Sequence, residues 1–89
     1  MGDVIATLRV TPNGIDVDLN ELKDKVKKNI EPHARVHKII EEPIAFGLRA
    51  LNVVTVIAEQ DGLLEKVETS IKQTEGVSEV EMIDVRRSL

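Results

Sequence analysis

Leu51-Asn52-Val53-Val54-Thr55-Val56-Ile57-Ala58 is the run that decides the fold. Apolar residues fall on both faces of a strand drawn through it, so it reads as a central strand of a sheet. The preceding segment, Ala34 to Phe46, is also rich in β-branched residues, but it contains Pro43, which has no amide to donate to a central ladder. That segment belongs at an edge. Gly47 marks the turn, so the two segments read as a hairpin with an edge strand first and an interior strand, Leu48 to Glu59, second.

Working outward, Asp3 to Val10 alternates, with Val4, Ala6, Leu8 and Val10 on one face and Asp3, Thr7 and Arg9 on the other. This is a half-buried strand. Thr11-Pro12-Asn13-Gly14 reads as a turn, and Asp18 with Glu21 three residues on gives a helix N-cap. Leu19, Leu22, Val26 and Ile30 then make one apolar stripe, while Glu21 to Lys25 and Asp24 to Lys28 are favourably ordered charge pairs; Pro32 closes the helix. Asp61-Gly62 opens a second helix with a narrower stripe of Leu64, Val67 and Ile71, ending at a Gly76 cap. A last strand, Val77 to Val85, turns Val80 and Met82 inward and Glu79 and Glu81 outward, leaving Arg86-Arg87-Ser88-Leu89 as a tail.

The order βαββαβ has one common compact solution. It predicts an α+β, ferredoxin-like split βαβ: a four-stranded antiparallel sheet in the order 4-1-3-2, with two helices on one face. Residues 1–89 suit a single domain, because at this length only about 60 to 65% of the unfolded surface can be buried and one modest aliphatic core is expected. Without cysteine, disulfides and thiolate metal sites are excluded, and two histidines are too few for an all-histidine zinc site. No cofactor or metal is expected. Neither a membrane span nor a signal peptide is visible, which makes the cytoplasm the default. A net charge of -4 and the lack of an aromatic stripe argue against direct binding to nucleic acid.

The fold hosts many functions, so function has to be read from sites. The first loop lacks the cysteine pair of a metal carrier and the arginine of an acylphosphatase, and the central strands lack the aromatics of an RNA-recognition motif. His33 and His37 read as solvated or locally bonded rather than as ligands. Glu41 and Glu42 are adjacent, so on a strand they point to opposite faces and cannot act as a carboxylate pair; a solvated edge suits them better. No nucleophile stands beside a base, so no catalytic residue is assigned. Phe46, the single aromatic, is either a core filler or an anchor for a partner, and its place beside Gly47 at a turn favours the anchor. Arg86 and Arg87 are either a polar tail or groups that probe a partner's phosphate or carboxylate.

Met1-Gly2-Asp3-Val4, His37-Lys38-Ile39, Glu42-Pro43-Ile44-Ala45-Phe46-Gly47-Leu48, Ala50-Leu51 and Asp84-Val85-Arg86-Arg87 together resemble the archaeal translation elongation factor 1-beta family over nearly the whole chain. The resemblance implies a guanine nucleotide exchange factor, not an enzyme. It would release GDP from the GTPase elongation factor 1-alpha, so that GTP rebinds and aminoacyl-tRNA delivery continues. In the related eukaryotic domain a phenylalanine in a Gly-Phe-Gly turn packs into the GTPase, and a lysine near the C-terminus reaches its magnesium and phosphate site. By that resemblance Phe46, Gly47 and Ala45 are partner-binding, with Ala45 standing where the leading glycine would be. Arg86 or Arg87 occupies the region of the lysine. The partner is then the GTPase alone, with no direct nucleic acid or membrane contact, and the free domain is monomeric. The competing reading is a dimeric regulatory module of ferredoxin-like fold that binds a small molecule, for which the doubly apolar third strand is the supporting feature.

Overall fold

A computed structural model describes residues 2–88. The elements are β1 (Asp3–Pro12), α1 (Leu19–Ile30), β2 (Arg35–Pro43), a short turn (Ala45–Gly47), β3 (Arg49–Ala58), α2 (Leu63–Lys72) and β4 (Val77–Ser88). The strands form one sheet in the order β2-β3-β1-β4, which is the expected 4-1-3-2 arrangement read from the other side. All pairings are antiparallel, and each βαβ crossover skips a strand position. Both helices lie on one face. Pro43 falls on an edge strand opposite Arg49, and β3 is interior, as the hairpin reading requires.

Alternation fixes which side of each strand is buried. Ala6, Leu8 and Val10 from β1 and Leu51, Val53 and Ile57 from β3 face the helices and are fully buried or within 1% of it. Leu22, Val26 and Ile30 from α1, Val67 and Ile71 from α2, and Val80 from β4 close the same core. Leu19, Leu64 and Met82 pack at its border. Thr55 is the polar member of the buried face of β3; its hydroxyl donates to the Ala6 carbonyl at 3.0 Å, which answers its hydrogen-bonding capacity inside the core. Across the helices, Asn29 Nδ2 donates to Thr74 Oγ1 at 2.7 Å, and Thr74 donates in turn to the Ser70 carbonyl at 3.0 Å.

Helix α1 begins as expected. The Asp18 carboxylate accepts from the amides of Asn20 at 2.9 Å and Glu21 at 3.3 Å. In place of the charge pairs read along the helix, Lys23 reaches off it to Glu41 of β2 at 2.6 Å. The i,i+4 pair that forms is on α2, between Glu68 and Lys72 at 3.2 Å.

Helix α2 ends at Lys72 with Gln73 as its C-cap, short of the expected Gly76, and two strand boundaries move for a common reason. The strand β1 runs through Thr11 and Pro12 rather than turning there, and β4 runs through Arg86 and Arg87 rather than ending at Val85. Backbone pairing sets both limits: Pro12 lies opposite Val77, Arg86 opposite Ile5 and Arg87 opposite Val4. Residue type alone carries no trace of a partner strand. Register slips leave one extra residue at His37 in β2 and at Ser78 and Ile83 in β4, all on edge strands.

Candidate docking surface

The tip of the β2–β3 hairpin is built by its backbone. The Ile44 amide donates to the Leu48 carbonyl at 2.8 Å, and the Leu48 amide donates to the Ala45 carbonyl at 3.2 Å. Within this closure Phe46 has φ 61° and ψ 33° and Gly47 has φ 78°. Positive φ at both central residues is the signature of a type I′ turn, whose twist matches that of the flanking strands. Glycine is the usual residue at the second of these positions, and asparagine or glycine at the first. A phenylalanine in the left-handed region costs about 1 to 2 kcal/mol.

That cost is not recovered by burial, because the Phe46 side chain is 94% exposed. The core reading of Phe46 is therefore excluded. Gly47 needs its positive φ rather than space: a Cβ there would meet only Ile15 Cγ2, at an unstrained 4.0 Å. Ala45, at the N-terminal side of the turn, supplies the carbonyl that closes it.

Arg86 and Arg87 lie at the opposite end of the molecule. From Arg49, beside the hairpin tip, to Val56, in register with Ile5 and Arg86, is seven strand steps, or roughly 24 Å. Phe46 and the two arginines are thus not brought together. Nor are the arginines a loose tail, since both are strand residues with acidic neighbours. Arg86 Nε lies 3.0 Å from Asp84 and Arg87 Nη2 lies 2.8 Å from Glu59, with both guanidinium groups largely exposed.

Glu41 and Glu42 point to opposite faces, as adjacent strand residues must. Neither is simply solvated. Glu42 meets Arg9 on the open face at 3.1 Å, and Glu41 meets Lys23 on the helical face. The hydrogen bond from Lys23, then its charge, hold the Glu41 carboxyl below its ordinary value of 4.5, with Arg49 at 3.4 Å adding to the effect. A carboxylate whose folded pKa is depressed contributes stability above its unfolded pKa and loses it as pH falls through the folded one. Glu41→Gln should therefore melt slightly below the parent at neutral pH, with the gap closing as pH drops under 4.5, as thermal melts across pH will read.

His33 lies in the turn after α1 and His37 is the bulged residue of β2. Among the described residues, no three His, Cys, Asp or Glu side chains converge as a metal site. Ile15, which the sequence reading did not single out, is the largest omission. It is 74% exposed, and its Cγ2 lies 4.0 Å from where a Cβ on Gly47 would stand at the hairpin tip. Its signal in the sequence is slight, an isoleucine within a polar loop two residues from a second β-branched residue, Val17.

This ferredoxin-like domain displays its one aromatic on an exposed turn of positive φ. Residues 5–87 match the EF-1 guanine nucleotide exchange domain. The chain is 51% identical to elongation factor 1-beta of Methanothermobacter thermautotrophicus, covering 98% of each, and 43% identical to that of Methanosarcina barkeri, covering 98% of this chain and 99% of the relative. Among solved structures, the ACT domain from GTP pyrophosphokinase of Chlorobium tepidum superposes with a TM-score of 0.65 at 16% identity, covering 91% of this chain and 99% of that one. That likeness is one of fold. The chain belongs to the EF-1 guanine nucleotide exchange domain family. Its function is guanine nucleotide exchange in translation elongation. No helix among the described residues is long and apolar enough to cross a membrane.

Proposed function

We propose that the domain releases GDP from elongation factor 1-alpha by docking through the Ala45-Phe46-Gly47 tip, with Arg86 or Arg87 engaging the GTPase at the far end of the sheet. The observation that carries this reading is the exposed, strained placement of Phe46. Residues 1–89 act as one exchange domain, a cytoplasmic monomer without direct contact to nucleic acid, as its net charge of -4 favours.

No bond is made or broken by this chain. A protein that binds the nucleotide-free GTPase more tightly than the GDP form weakens GDP binding by the same factor, because the coupling is reciprocal. Substoichiometric amounts of the domain should therefore accelerate release of fluorescent GDP from its cognate elongation factor 1-alpha. An unchanged release rate would overturn the proposal.

A further inference from the structure

We infer that Ile15 is a second apolar prong of the docking surface, seated beside Phe46 in an apolar socket of the GTPase whose border is basic. The inference rests on the docking reading of Phe46 and extends it to a separate loop, the segment 13–18 between β1 and α1. That loop is clamped on both sides of Ile15. The Asn13 amide donates to the Gly76 carbonyl at 2.9 Å, the Val17 amide donates to the Gly14 carbonyl at 3.4 Å, and Asp18 caps α1. Val17 packs against the core, within 3.7 Å of where a Gly76 Cβ would stand. Two β-branched residues two positions apart are thus sent opposite ways, Val17 inward and Ile15 outward.

Ile15 projects outward next to the hairpin tip. Its Cγ2 lies 4.0 Å from where a Cβ on Gly47 would stand, which places it beside the turn that displays Phe46. The two are the most exposed large apolar residues of the described chain, at 74% and 94%, and they come from different loops to the same end of the sheet. Scattered exposed apolar residues are ordinary, whereas two large ones brought from separate loops to one end of the sheet mark a contact surface.

Charge identifies the socket's border. A shallow cleft of about 240 Å³ at the same end is lined by Asp16, Asp18, Glu21 and Glu75, with Lys25 as its one cation. A partner surface that complements this end is apolar at its centre and basic around it. Complementary charge of this kind raises the association rate and makes it depend on ionic strength.

The test is GDP release from the cognate elongation factor 1-alpha, measured over a range of GTPase concentrations and salt. Ile15→Ala should lower kcat/KM about ten-fold, mainly through KM, with an unchanged melting temperature. Ile15→Val should restore most of the loss. Asp16→Asn combined with Glu75→Gln should flatten the fall of kcat/KM with salt. Parental kinetics for Ile15→Ala alongside a slowed Phe46→Ala would overturn the second prong and leave the docking reading intact. Parental kinetics for both would overturn the docking reading itself. A melting temperature lowered by Ile15→Ala would make the residue structural, and a salt slope unmoved by the acidic pair would remove the basic border.

Discussion

Phe46→Ala should slow GDP release by about 30- to 700-fold and leave the melting temperature where it was. The first half follows from what an aromatic anchor contributes when it fills a desolvated pocket, about 2 to 4 kcal/mol on truncation. The second follows from the structure. A ring 94% exposed makes almost no contacts within the domain, and alanine at φ 61° bears much the same backbone strain as phenylalanine. Stopped-flow release of fluorescent GDP, paired with thermal denaturation of the same variant, reads both. Loss of exchange with an early melt would return Phe46 to a structural role, and unaltered exchange would remove it from the interface.

Leu8→Ala should do the reverse, destabilising the domain without touching any residue of the docking surface. Leu8 lies on β1, between β3 and β4, fully buried and opposite Val53 and Met82. Removing a buried leucine side chain costs about 2 to 5 kcal/mol, from lost transfer free energy and from the cavity left behind. For a domain of this size that is a large fraction of the total, and each kcal/mol moves the midpoint by about 4 to 8 °C. The melting temperature should fall by at least about 10 °C in calorimetry. Exchange measured well below the new midpoint should stay near the parental value, which separates a fold residue from a docking residue. A shift of only a few degrees would mean that the core collapses around the gap.

The contrast between these residues also explains how legible each was in the sequence. Leu8 could be placed because alternation along Asp3 to Val10 dictates one buried face, and Pro43 could be placed because a missing amide is a local property. The strand order followed from those two constraints and the crossover rule. What could not be read were features that depend on a neighbour far away in sequence. Arg86 and Arg87 are strand residues only because Ile5 and Val4 lie beside them, and Lys23 leaves its helix because Glu41 lies across from it. For Phe46 the sequence left two readings open, since residue type and a neighbouring glycine suit a plug as well as an anchor. Torsion and exposure separate them. Ile15 was silent because its meaning lies in adjacency to Gly47, across more than thirty positions of chain.

The extra residues at His37 and Ile83 bear on how a domain with an exposed aromatic stays dispersed. An open sheet offers two rows of unpaired amides and carbonyls on which a foreign strand can polymerise. Here one border is interrupted by the His37 bulge, carries Lys38 beside it and ends at Pro43, which has no amide to offer. The other is broken at Ile83 and flanked by Glu79, Glu81, Asp84 and Arg86. Neither border is a flat, neutral template for fibre growth. The chain can therefore keep its apolar tip exposed without offering either sheet border for strand addition.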